Sequence, residues 1–184
     1  SSLKVGYNFS QSLHFELSDF DLQIHGANLT TSTKIKDVTV GASYFYNHIR
    51  LGGDSFLDMH IVNPNFNTLI GTNLLLIGGY EYQKQNFKQA ILFDRNAERH
   101  SGNAGLYFLL GQGRTINVGY KLSRHNTVAP ELVYWAHTID AGFKLPVDII
   151  EGSNIRGRYR YRKRDYSNIN PRLGENRMDK RHSV

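Results

Sequence analysis

Residues 155–166 read Ile-Arg-Gly-Arg-Tyr-Arg-Tyr-Arg-Lys-Arg-Asp-Tyr. In an extended strand successive side chains point to opposite faces. Arg156, Arg158, Arg160, Arg162 and Arg164 therefore fall on one side, and Ile155, Gly157, Tyr159 and Tyr161 on the other. Neighbours on one face are roughly 6.5 to 7 Å apart, and burying unpaired guanidinium groups at that spacing costs several kcal/mol each. The row must meet bulk water, enclosed water or an array of anions. Two placements satisfy that requirement: the solvated face of an ordinary sheet, or the inner wall of a barrel whose tyrosines face outward. In the second, the arginines give the lumen a positive field that attracts anions.

Catalytic constellations are sparser. Gly53-Asp54-Ser55-Phe56 resembles the nucleophile block of the SGNH-type serine esterases. Gly71-Thr72-Asn73 would stand for their Gly-x-Asn oxyanion block, and Asp179-Lys180-Arg181-His182 for their Asp-x-x-His. A serine nucleophile, a histidine base, an orienting aspartate and an oxyanion donor would then be named. That family, however, is built on a parallel sheet with covering helices, and this chain has no amphipathic helical segment to supply the crossovers. Outer-membrane acyl hydrolases place His and Ser two apart on one strand face, and no His-x-Ser occurs here. The eight histidines (His14, His25, His48, His60, His100, His125, His137, His182) show no local metal-ligand spacing and read as polar-face or loop residues. Gly111-Gln112-Gly113 lacks the βαβ setting of a dinucleotide site. The expectation is a protein that is not an enzyme and takes no metal or cofactor.

Arginines interleaved with tyrosines can also contact phosphates and stack on bases, which keeps open a soluble β-sheet module for nucleic acid or another polyanion. In such a module the tyrosines should share the arginine face. Here they alternate with it, so nucleic acid is the less favoured partner.

The chain of 184 residues carries a net charge of +6. Residues 151–184 hold ten Lys or Arg against four acids, which is the whole of that excess. The absence of cysteine leaves neither a disulfide framework nor a thiolate metal site. The start, Ser-Ser-Leu-Lys-Val, has no signal-peptide pattern, so a mature form or an excerpt is expected. Nowhere is there an apolar run long enough for a membrane helix, so a membrane role would require a β-barrel.

The elements that must position these residues are strands throughout. From Leu3 to Ser18 every odd residue except Gln11 is apolar and every even one is polar or small, a two-residue period that fits one long strand or two joined near Gln11. A polar stretch, 26–33, reads as a linker. Val38, Val40, Ala42, Tyr44 and Tyr46 alternate next, with Phe45 as the exception. Gly52-Gly53-Asp54 and Asn63-Pro64-Asn65 read as turns. Leu74, Leu76, Gly78, Tyr80 and Tyr82 share a face, and residues 85–102 read as a long connection. Ala104 to Leu122 is a hairpin closed by Gly111-Gln112-Gly113-Arg114. After a loop at 124–131, Val133, Trp135, Ile139, Ala141, Phe143 and Leu145 share a face, and Pro146-Val147-Asp148 turns into the arginine strand. Residues 167–176 read as a loop, and 177–184 as the opening of a further strand.

This amounts to about nine or ten strands in one domain, 1–184. From residue 85 onward the connections alternate long and short, as they do at the two rims of an up-and-down transmembrane barrel. A β-sandwich shares the two-residue period without a reason for that alternation. Tyr44, Tyr46, Tyr80, Tyr82, Tyr120, Trp135, Tyr159 and Tyr161 lie on the apolar faces, often toward strand ends, where a lipid-interface girdle would place them.

The run from Phe93-Asp94-Arg95-Asn96, through Gly119-Tyr120-Lys121-Leu122, Tyr134-Trp135-Ala136-His137 and Gly142-Phe143-Lys144-Leu145-Pro146, to Tyr159-Arg160-Tyr161-Arg162 and Arg164-Asp165-Tyr166 resembles a known barrel. It is similar to the C-terminal β-barrel of bacterial outer-membrane proteins with N-terminal tetratricopeptide repeats, of which the surface lipoprotein assembly modifiers are the best described. The resemblance covers most of the chain from about residue 36. No repeat helices precede the barrel here, and the closing strand with a terminal aromatic is absent, since the chain ends His182-Ser183-Val184.

The resulting expectation is an all-β, antiparallel, up-and-down transmembrane β-barrel, incomplete as it stands and a fragment of a larger one. By resemblance it sits in the bacterial outer membrane and assists export or surface display of a macromolecule, a lipoprotein or a polysaccharide. The partners this implies are outer-membrane lipid, the exported cargo and a periplasmic repeat domain on the same full-length chain.

Overall fold

The two-residue alternation, which no helix could satisfy, runs through ten strands in a computed structural model that describes residues 1–147, 153–169, 171 and 174–184. The strands are β1 (Ser2–Ser12), β2 (Leu22–Ile35), β3 (Val38–Leu51), β4 (Asp54–Ile70), β5 (Leu74–Phe87), β6 (Ala97–Leu109), β7 (Thr115–Thr127), β8 (Tyr134–Pro146), β9 (Asn154–Ile169) and β10 (Asn176–Ser183). They form one antiparallel sheet in sequential order, each strand bonded to the next. The helical content of the described residues is three short 3₁₀ turns, Ser18–Phe20, Ala90–Arg95 and Pro130–Leu132. No helix is long and apolar enough to cross a membrane, which leaves crossing by strands untouched.

A sandwich splits its strands between two sheets joined by Greek-key connections. A single ten-stranded meander is instead the topology of a barrel wall. The wall is open: β1 pairs only with β2 and β10 only with β9 among the described residues.

Several strands are longer than alternation alone implied. The polar stretch 26–33 is not a linker but the middle of β2, paired residue for residue with β3 from Gly26↔Asn47 to Thr33↔Val40. Its small polar side chains suit a strand because only one face of it needs apolar cover. The turn joining β2 to β3 is reduced to 36–37, with Lys36 at φ 54. Asn63-Pro64-Asn65 is likewise no turn; it lies inside β4, with Pro64 opposite Ala42. Proline has no N–H to give the ladder. The β4–β5 pairing accordingly lapses between Val62↔Tyr82 and Asn65↔Gly79, then resumes in unchanged register.

The connection expected over 85–102 shrinks to 88–96, and that at 124–131 moves to 128–133, because β5, β6 and β7 extend into both. The alternation of loop lengths is correspondingly weaker: at one rim lie 13–21, 52–53, 88–96 and 128–133, at the other 36–37, 71–73 and 110–114. The first of these connections is a departure too, since β1 ends at Ser12 and the alternation of Leu13, Phe15 and Leu17 continues outside any strand. The turn read at 146–148 lies partly outside the described residues. At 177–184 the expected strand is β10.

Burial shows which way the wall curves. Ser101 and Ala136 are 1% exposed and Ser123 6%, although all are small, and their cross-strand partners place them on the arginine face. On the opposite face Val118, Tyr120, Ile139 and Phe143 are each 42–44% exposed. Crowding on one side and splaying on the other mean that the sheet curls toward the arginines. A soluble protein hides its apolar face; this sheet presents it.

Candidate functional site: a cationic inner face and a tyrosine–histidine belt

The five arginines of β9 lie on the inner face, as the alternation required, but they do not form one uniform row. Arg158 and Arg160 both donate to Asp140 Oδ1, at 3.0 and 2.7 Å, across the β8–β9 pair. Arg156 donates through Nε to Asn154 Oδ1 at 2.7 Å. All three are exposed. Further along the strand Arg162 and Arg164 are half-buried, and the Arg164 guanidinium sits 5.1 Å from the centre of the Tyr134 ring. The line Ala136, Ser123, Ser101 across the neighbouring strands leaves room for those long side chains to lie flat.

The rest of the inner face adds cations that the arginine row alone did not announce. Arg99 and Lys121 share one carboxylate, Glu81 Oε1, at 2.7 and 3.3 Å. Lys144 lies directly opposite Arg156, and Arg181 opposite Arg162. A hollow of about 800 Å³ on this side is lined by Asn103, Asn117, Lys121, Asp140, Lys144 and Arg158 among others. Three buried nitrogens, Arg99 Nε, His125 Nδ1 and Arg162 Nε, have no hydrogen-bond partner among the described residues. They belong to the part of the inner face where cations outnumber acids. The excess of cations over acids gives this part of the face a positive potential.

All eight aromatics assigned to a girdle lie on the outer face. Tyr44 and Tyr46 stand opposite Val62 and His60, Tyr80 and Tyr82 opposite Gly102 and His100. Tyr120 and Tyr161 flank Ile139, Tyr159 stands opposite Ala141, and Trp135 opposite Arg124. Sequence reasoning missed their partners. Five histidines taken for polar-face or loop residues sit on this apolar face, each with Nδ1 against a tyrosine hydroxyl. The pairs are Tyr7–His25 (2.8 Å), Tyr44–His60 (2.8 Å), Tyr80–His100, Tyr120–His137 (2.7 Å) and Tyr159–His182 (2.7 Å). Each joins the two strands of one hairpin: β1–β2, β3–β4, β5–β6, β7–β8 and β9–β10. In register the histidine stands opposite the residue two beyond the tyrosine, namely Phe9, Tyr46, Tyr82, Leu122 or Tyr161. The bond is therefore diagonal, within the reach of long side chains on one face. Ring centroids 4.9–5.0 Å apart bring Phe9, Tyr46, Tyr82 and Tyr161 against the same histidines. Tyr–His spacings of 16 to 23 residues vary with loop length, so the repeat is not visible at one fixed period.

The belt divides the outer face. On the side of the 36–37, 71–73 and 110–114 turns the outward residues are apolar: Val40, Phe66, Leu76, Leu106, Val118 and Phe143. On the other side they are charged, with Lys84 3.4 Å from Glu98, Lys163 2.9 Å from Asp165, and Lys88 against Asp58. That carboxylate holds the pKa of Lys88 above the ordinary lysine value.

The serine-esterase constellation is not assembled. Ser55 is on the β3–β4 hairpin at one rim, while Gly71-Thr72-Asn73 is the turn at the other. Asp179 is on the inner face opposite Arg164, and His182 on the outer face against Tyr159. Ser55 does approach a histidine, since the bulge beside Arg50 puts it on the face of His48, 3.4 Å from Nε2, with His48 Nδ1 2.7 Å from Asp58. Asp58 also accepts from Tyr46 and pairs with Lys88, so the group ties the base of the hairpin to the 88–96 loop.

The fold and the two faces define an all-β protein whose single antiparallel meander has the form of a barrel wall. The model of one family, the surface lipoprotein assembly modifiers, matches residues 14–184, and the chain belongs to that family. Membership ties it to the assembly of surface lipoproteins. No curated protein matches the chain.

Proposed function

We propose that this sheet is part of the wall of an outer-membrane β-barrel through which, or at which, a lipoprotein is moved to the cell surface. The observation that carries the reading is the inverted distribution of its faces: apolar and belted outside, small, polar and cationic inside. Spanning barrels carry an apolar band about 25 Å tall bounded by aromatic girdles. From Val38 to Tyr46 the outward residues of β3 cover eight steps, about 26 Å along a strand and about 20 Å once tilted. An apolar surface running across β1 to β9 far exceeds what soluble monomers expose. The free edges of β1 and β10 would be closed by pairing with each other or with further strands, since an open edge invites aggregation. A periplasmic repeat domain on the full-length chain would deliver the cargo.

In this reading Arg156, Arg158, Arg160, Arg162 and Arg164 line the lumen and, with Arg99 and Lys121, hold a positive potential. That potential favours an anionic cargo segment or seats a plug through carboxylates. No proton transfer or covalent step is asked of these residues; their role is electrostatic. A nucleic-acid surface would use the β9 arginines together with Tyr159 and Tyr161, and the strand turns these to opposite faces; Tyr134 and Tyr166 share the arginine face but are half-buried and buried there. The test is ion selectivity of the full-length protein in a planar bilayer. Replacing the five arginines with Gln shifts selectivity toward cations, whereas unchanged selectivity rules out their lining the conducting path.

A further inference from the structure

Three of the five belt histidines have a cation as second neighbour. On the strand following its own hairpin, His60 stands directly opposite Lys84, His100 opposite Arg124, and His137 opposite Lys163. His25 stands opposite His48 in the same way, and His182 lies on β10, at the sheet edge. The unit repeated along the wall is thus tyrosine, histidine, cation, running across three strands on the outer face at the boundary between apolar and charged surface.

We propose that these units bind the phosphate groups of anionic membrane lipids. The reading rests on the outer face meeting lipid, and adds which chemistry of lipid it selects. A phenol O–H is a better donor, and a neutral imidazole nitrogen a better acceptor, than the reverse pairing; with the hydroxyl donating to Nδ1, the ring's proton is on Nε2. Among the described residues Nε2 of these five histidines makes no hydrogen bond to protein. That N–H and the adjacent Lys or Arg form a pair of donors at one level, the arrangement that suits a tetrahedral anion. Arg124 is held with its guanidinium 5.1 Å from the Trp135 ring centre, Nε to Asn126 and Nη1 to Ser167, and among the described residues it has no carboxylate partner. Lys84 and Lys163 do have one each: Glu98 in an exposed pair of little strength, and Asp165 in a half-exposed pair, two residues along the same strand; a phosphate can enter either. An interface serving only to match apolar thickness would need the tyrosines and no histidine–cation pairs behind them.

The experiment places the full-length protein in vesicles of phosphatidylcholine and phosphatidylglycerol in equal amounts, extracts it gently, and quantifies the lipid that stays bound. Wild type retains phosphatidylglycerol over phosphatidylcholine by roughly fivefold, the preference expected for one cation at each site near the surface. The triple variant Lys84→Gln/Arg124→Gln/Lys163→Gln retains the two in nearly the bulk ratio. So does His60→Phe/His100→Phe/His137→Phe, which keeps the apolar packing and isolates the Nε2 donor. Heat-modifiable gel migration verifies that each variant is folded. Retention at the bulk ratio by wild type, or undiminished preference in the triple cation variant, overturns the proposal. Displacement of the bound lipid by millimolar inorganic phosphate overturns it as well, because the site would then be one for free phosphate. Failure of wild type to insert into either lipid refutes instead the barrel reading beneath it.

Discussion

Asn117 and Val118 are neighbours on β7, yet they belong to opposite halves of the molecule. Asn117 faces the hollow with Lys121, Lys144 and Arg158, while Val118 stands outward and 43% exposed between Leu106 and Ala141. The inner face is close-packed along Ser101, Ser123 and Ala136, where Arg162 and Arg164 lie half-buried, and open at Arg156, Arg158 and Arg160. The outer face is the reverse: its large apolar groups touch one another along the sheet but stay about two-fifths exposed. What the contrast teaches is that this sheet is held by its ladder and its curvature; in the proposed barrel its apolar groups would be solvated by lipid.

The sharpest way to break the comparison is to put the same charge on both sides of one strand. If the outer band lies in lipid, Val118→Arg costs about 2–4 kcal/mol near the bilayer midplane. Asn117→Arg, one residue away and facing water, costs about 0.5 kcal/mol or less. Denaturant unfolding of the refolded protein in vesicles measures both, and equal costs would erase the distinction between the faces.

A smaller effect separates two glycines of the outer face. Phe143 lies directly opposite Gly157 with its ring over that residue, where any Cβ would collide, whereas nothing stands within 4 Å of the Cβ position of Gly102. Gly157→Ala is expected to cost about 1–3 kcal/mol through displacement of the ring. Gly102→Ala is neutral or slightly stabilising, read by the same unfolding curves.

The least of the effects concerns the charged side of the belt. Lys88 gains its Asp58 contact only in the folded state, and its pKa is raised. The sign follows from linkage: the contact's contribution is complete below the ordinary lysine pKa and is lost as pH rises through the elevated one. Hydrogen exchange in the 88–96 loop, corrected for intrinsic rate, should quicken across that alkaline window in wild type. Lys88→Met removes the step; a step that persisted would assign it to another group.

How much of this was legible beforehand can be judged from particular residues. Alternation alone put Arg156 to Arg164 on one face and Tyr159 and Tyr161 on the other, because side-chain direction in a strand depends only on position parity. The clearest hairpin, around Gly111 and Gly113, was legible because both adopt the positive φ that glycine permits. Strand ends were read too short wherever polarity was taken for a loop, as at 26–33. There one face of β2 is polar because it faces inward, and local pattern carries no information on what covers a face. Pro64 misled for a related reason: a missing N–H breaks a ladder locally without turning the chain.

The histidines mark the limit most plainly. Nothing within a few residues of His60 or His137 distinguishes it from a solvated side chain, for its tyrosine lies 16 or 17 residues away in sequence. Parity, turns and the charge of the final strands were determined by the sequence itself, since each is a property of adjacent residues. The direction of curl, the diagonal Tyr–His bonds and the cations behind His60, His100 and His137 were decided only by tertiary structure. They depend on register between strands, which loop lengths and the whole ladder set together.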